Sequence, residues 1–169
     1  MSESILEQLA LWHLAAICEV TVAGGYQQTL VPSRSEEKFL DGEAITDLSV
    51  LCALSGDDDA VVKVSETINR ENPRTKWSQK FDAIVHILGD GGTGLAVDNR
   101  ITRIVADVQK RLRMEYVAAA MGGRPCGGLA EAIELVPWQI GMSPTGYCTI
   151  VNVPVRIHYW VKTNDPYSQ

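Results

Sequence analysis

The run "HILGDGGTGLAVDNRITRIV" (residues 86–105) holds the spacing in this chain most suggestive of chemistry: Gly89, Gly91 and Gly94 spell G-x-G-x-x-G. In a dinucleotide-binding turn, those glycines let the backbone approach a pyrophosphate. The phosphate then sits on the N-terminus of a helix that opens at the last glycine. Here the helix signals start only after "LAVD", which moves the helix dipole away from such a phosphate. The segment that follows, "YVAAAMGGRPCGG", ends without the acid that would hold a ribose. No Gly-Lys-Ser/Thr is present either, so there is no Walker turn. The spacing reads as a strand-to-helix loop without a cofactor. A nucleotide-dependent enzyme using Gly89–Gly94 is the alternative.

Other reactive residue types are scattered. Cys126, in "RPCGGL", has the small neighbours of a nucleophile, but nothing in the sequence brings His86 or His158 to it. H-E-x-x-H, G-x-S-x-G and a tight helical carboxylate pair are all missing. Cys18, Cys52, Cys126 and Cys148 form no C-x-x-C pair, which argues against a zinc knuckle or redox dithiol and for reduced, apolar thiols. Asp57, Asp58 and Asp59 lack the alternating ladder of a calcium loop and read as a solvated turn. His13 has no second ligand one helical turn away and is expected at the edge of an apolar helix face. These residues predict no catalytic group, no metal and no cofactor; the chain reads as a protein that is not an enzyme.

The elements that must position these residues follow from periodicity. Ile5, Leu9, Trp12, Ala16 and Val20 recur at helical spacing, with Ser2 or Ser4 as cap and Gly24-Gly25 as stop. "YQQTLVPSR" reads as a first strand that Pro32 ends or marks as an edge, and "DLSVLCAL" alternates as a second. Residues 55–77 are turn-rich and polar and predict an extended loop or long hairpin arm. "KFDAIVHIL" is the next strand, followed by a helix from about Asp98, capped by Asp98 or Asn99, with Ile101, Ile104, Val105, Val108 and Leu112 as its stripe. "LAEAIELV" is a short strand. From Thr149 to Val161, Val151, Val153, Val155, Ile157, Tyr159 and Val161 line one face, while Asn152, Pro154, Arg156, His158 and Trp160 line the other. Pro154 within it points to an edge or a bulge. The order predicts one α+β domain over residues 1–169, a mixed, mainly antiparallel sheet with helices packed on one face.

Bulk properties narrow the classes further. The chain has 169 residues, 46% apolar and 21% charged, with 21 acidic against 15 basic residues and a net charge of −6. That balance opposes phosphate-backbone binding, which relies on Lys and Arg. No apolar run approaches the roughly 20 residues that span a bilayer, and the N-terminal segment lacks a basic leader. A cytosolic protein that binds no membrane is expected. Trp12, Trp77, Trp138 and Trp160 are dispersed, as core or interface anchors are, rather than gathered as a base-stacking platform.

Taken in order, residues 78–167 show a strand ("FDAIVHIL") and then a helix opening with Asn-Arg and containing "ADV" and a leucine ("NRITRIVADVQKRL"). "CGGLAEAIEL" follows, then a long closing strand ending in Asp-Pro-Tyr ("VNVPVRIHYWVKTNDPY"). This order resembles the tail terminator and tail-completion (minor tail) proteins of long-tailed bacteriophages. The resemblance implies a structural virion protein of the tail or neck, assembled in the host cytoplasm. Such a protein forms a homo-oligomeric ring, commonly a hexamer, at the head-proximal end of the tail tube. It ends tube polymerisation and joins the tail to a head-completion or connector protein, while genomic DNA passes through the lumen without sequence-specific binding. Another neck or connector protein, or a tube subunit, is the nearest alternative. On this reading the loops 55–77 and 89–97 are contact arms. Asp57, Asp58, Asp59, Arg70, Arg74 and Trp77, with Asp165, Pro166 and Tyr167 of the tail, are the expected subunit or partner contacts.

Overall fold

The computed structural model describes residues 3–34, 45–67, 72–89, 95–142, 148–163 and 165–166. Helix α1 (Ile5–Cys18) is followed by strands β1 (Val31–Ser33), β2 (Ser49–Leu54), β3 (Val61–Thr67) and β4 (Arg74–Ile87). Helix α2 (Val97–Ala120) then leads to β5 (Ala132–Leu135), β6 (Gln139–Met142), β7 (Thr149–Asn152) and β8 (Val155–Lys162). Strand β4 organises the sheet. Its first half lies between β3 and β8 and its second half between β2 and β7. Beyond these, β1 pairs with β2, β5 with β8 and β6 with β7. Only β1–β2 is parallel among these pairings, so the chain has the mixed, mainly antiparallel α+β architecture expected from its sequence.

Alternation decides which face is the core. Phe81, Ala83, Val85 and Ile87 of β4 point the same way, since side chains along a strand reverse at each residue. Val50, Cys52, Val151, Val155 and Ile157 sit beside them in register or on that same face. Ile5, Leu9 and Ile17 of α1, with Ile101, Ile104, Val108 and Leu112 of α2, pack onto this surface. Each such side chain contributes roughly 1.5–3 kcal/mol when fully buried, and most of these are fully buried. Both helices therefore lie on one face of the sheet.

The helix ends differ from expectation for local reasons. Ser4 caps α1, its Oγ accepting from the Glu7 amide at 3.2 Å. The helix stops at Cys18 rather than at Gly24-Gly25, because Thr21 caps a separate turn at Val22–Gly24 by accepting from the Gly24 amide at 3.0 Å. Helix α2 starts at Val97 on an Ala96 N-cap that offers no side-chain bond. Asp98 falls inside the first turn instead, where its charge complements the dipole.

The strands differ more. Of the two readings of 55–77, loop or hairpin arm, the chain forms the hairpin, β3 pairing with a β4 that begins at Arg74, six residues before "KFDAIVHIL". The first strand shrinks to Val31–Ser33 at the sheet's edge, where Pro32 is tolerated. The closing strand divides at Val153-Pro154 into β7 and β8, yet the register along β4 does not change across the break: Ile84 faces Asn152 and Phe81 faces Val155. Pro154 is thus not on an edge, but on its other side the β5–β8 and β6–β7 pairings differ by one residue in register, as a bulge opposite it gives. It is an interior residue without an N–H, and the ladder resumes on either side.

Candidate interaction surface

Gly89, the first glycine of the G-x-G-x-x-G spacing, adopts φ +51°, while Gly91 and Gly94 lie outside the described residues. Behind Gly89 sits Arg100, a fully buried guanidinium from the first turns of α2. Its Nη1 donates to the Gly89 carbonyl at 2.8 Å and its Nη2 to the Asp47 carboxylate. Asp47 also accepts from the Leu88 amide at 2.9 Å. The guanidinium fork is thus committed to the protein's own acceptors and ties the loop's entry to the residues before β2.

Cys126, at the end of the loop after α2, has its amide bonded to Glu115 at 2.8 Å. Burial, with that carboxylate nearby, pushes its thiol well above the ordinary value, the reverse of what a nucleophile needs. Burial likewise pushes Cys52 up to about 12. His86 lies on the sheet face opposite the helices with Nδ1 at 3.3 Å from the Ser49 carbonyl, which can only accept, so Nδ1 carries the proton. His158 approaches Glu134 at 3.6 Å. The structure does not bring either histidine to Cys126. His13 is not at a helix edge but wholly buried, its ring 5.6 Å from that of Phe81. Among the described residues, no three His, Cys, Asp or Glu side chains converge as a metal would require, and no helix is long and apolar enough to cross a membrane.

The face of the sheet away from the helices is charged. Lys80 pairs with Asp57, whose carboxyl it holds below the usual carboxylate range. Arg156 donates to Asp59 Oδ2 at 2.6 Å and to its carbonyl at 3.1 Å. Two of the three aspartates expected to reach a neighbour therefore serve this chain, folding the turn before β3 onto the sheet. Asp58 stays exposed between them. Trp77 faces the helix side, partly buried against the core. Arg74 opens β4 and lines a cleft beside Trp160. In the tail, the Pro166 carbonyl accepts from the Ile5 amide at 3.1 Å and the Asp165 amide donates to the Lys162 carbonyl at 3.0 Å, so these residues lie against their own chain. Arg70 and Tyr167 fall outside the described residues.

Two further surfaces stand open, one within the expected 55–77 arm and one unread in the sequence. Strand β3 is exposed along its whole length, with Val61, Val62 and Val64 in the open, and β6 is equally exposed. Trp138, Ile140 and Met142 alternate along the β6 segment, so all three present apolar side chains on one side. Each strand pairs on one side only among the described residues, and they stand at opposite edges of the sheet, across β4. Lys63 and Glu66, paired at 2.7 Å, are the charges on the β3 edge. Their nearest sequence signal is the apolar alternation in "WQIGM" and "VVKV", too short to separate from a turn.

The residues that carried the family resemblance hold the fold together. Besides Arg100, Asp107 accepts from the Gln27 and Gln28 amides, each at 2.8 Å, pinning the chain after α1 to α2. Cys126, Gly127 and Gly128 all have positive φ, at 57°, 66° and 92°, a left-handed run in which glycine avoids the Cβ clash. No family model matches this chain, and no curated protein matches it.

Proposed function

We propose that this protein is a tail terminator or tail-completion protein, a ring-forming structural component of a phage tail or neck and not an enzyme. The observation that carries the reading is the pair of exposed edge strands, β3 and β6, each paired on one side only among the described residues and set at opposite sides of one sheet. A head-to-tail ring needs two different complementary surfaces on each subunit, and an exposed strand edge offers a row of free amides and carbonyls for strand addition. The α+β element order and the acidic balance of −6 support the same reading, since a ring around DNA works best when DNA does not stick to it. In this proposal each ring, commonly a hexamer, caps the tube and meets the head-completion protein on its other side.

Electron microscopy of the protein with and without tail tubes, beside its native mass, tests this. Closed rings, or tubes capped at one end, are expected; a monomer that ignores tubes would overturn it. Open filaments would instead assign it to the tube subunits. Val62→Lys and Ile140→Lys, both at exposed positions, should each abolish rings while shifting stability by only about 0.5 kcal/mol. Native mass and a thermal melt read the two effects separately.

A further inference from the structure

A cleft of about 580 Å³ opens where the start of β4, the end of β8 and the loop after α2 meet, lined by Thr67, Arg74, Arg124, Leu129, Glu131 and Trp160 among others. Its charge is unlike that of the rest of the chain. Arg74 and Lys162 stand directly opposite each other across β4 and β8, a like-charge pairing that costs stability unless an anion lies between them. The next pair on the same face is Lys76 and Trp160. The one acid in the lining, Glu131, is already occupied: its Oε2 accepts from Lys76 Nζ at 2.7 Å and from Trp160 Nε1 at 2.9 Å. The guanidiniums of Arg74 and Arg124 have no acceptor among the described residues. In a chain of net charge −6, two guanidiniums line a cleft with one aromatic wall, and Lys162 stands across the ladder from one of them.

We infer that this cleft is a docking site for an acidic peptide segment of another protein, its carboxylates held by Arg74 and Arg124, with Lys162 beside Arg74 at the cleft's edge, and its apolar side chains laid on Trp160 and Leu129. The volume is that of an ordinary ligand pocket, and a guanidinium fork matches a carboxylate in two-point geometry. Two cations in a pocket, rather than a stripe along a surface, suit a short segment better than a nucleic-acid backbone. A second copy of the chain would have to offer acids other than Asp57, Asp59 and Glu19, which are already paired with Lys80, Arg156 and Arg111. This inference goes beyond the ring reading and does not depend on it.

Calorimetric titration of the full chain with acetyl-Asp-Leu-Glu-Leu-Asp-amide, and with its Asn/Gln counterpart, tests the site. The acidic peptide should bind at least about tenfold more tightly than the amide version, and more weakly as salt rises. R74Q/R124Q should lower that affinity by about tenfold or more, and K162Q should lower it too, with melting temperatures unchanged or raised because like charges have been removed. Equal binding of the two peptides, unchanged binding by R74Q/R124Q, or tighter binding of inorganic phosphate or oligothymidylate would overturn the inference. Self-association that R74Q/R124Q abolish would overturn it in favour of a second copy.

Discussion

Asp47→Ala is expected to lower the unfolding free energy by about 3 kcal/mol, the lower end of what breaking a buried ion pair costs. The reason is asymmetric burial. Arg100 is 0% exposed, whereas Asp47 is 28% exposed at its side chain, so removing the acid leaves a guanidinium that water cannot reach. The same change frees the Leu88 amide that Asp47 accepts from. Arg100→Met in the Asp47→Ala background should recover part of the loss, because the uncompensated charge goes with it. Urea unfolding of the two single variants and the double variant measures this cycle. A loss below about 1 kcal/mol for Asp47→Ala would show that the pair does not hold the loop entry.

The second large effect is a pH dependence set by His13. Burial alone lowers its pKa from 6.5 to about 4, so the native ring stays neutral while the unfolded ring takes up a proton. The unfolded state binds more protons between those two values, so this contribution is complete above pH 6.5 and is lost as pH falls toward about 4. The shift corresponds to roughly 3 kcal/mol. His13→Met preserves bulk, removes a buried Nε2 that has no hydrogen-bond partner and should flatten stability across that window. Comparing the two chains by urea unfolding at several pH values isolates His13 from the surface carboxylates, which both share. Parallel curves would refute it.

Why some elements were legible and others were not follows from how far their causes lie apart. Phe81, Ala83, Val85 and Ile87 alternate within a few residues, and so do Val155, Ile157 and Tyr159; that pattern is local and one face is dry. The first half of β4 carries Arg74, Lys76, Gln79 and Lys80, and its strand state depends on β3 and β8 flanking it, which no short window contains. Strand β3 is wet on both faces, and the alternation in "VVKV" is too short to mark a strand. His13 is adjacent to the apolar stripe in sequence, but its burial depends on Phe81 and other strand residues far from it in the chain. At the candidate surfaces, the aspartates of the 57–59 turn are visible as charges, whereas their pairing with Lys80 and Arg156 is set by the hairpin and the last strand. Arg74 is readable as a cation near a turn. That Lys162 faces it is a matter of register alone.

The placement of β4 also has a consequence for biosynthesis. Its partners on one side, β2 and β3, precede it, while those on the other, β7 and β8, are the last strands of the fold. At translation speeds of about 5–20 residues per second, roughly 4–15 s separate the emergence of Ile87 from that of Lys162. Throughout that interval the nascent chain carries a half-zipped central strand, with Phe81 and Val85 awaiting neighbours and an open ladder beside them. Messages truncated before Thr149 should therefore yield insoluble product, while slowing synthesis downstream of α2 should prolong the nascent chain's demand for chaperones.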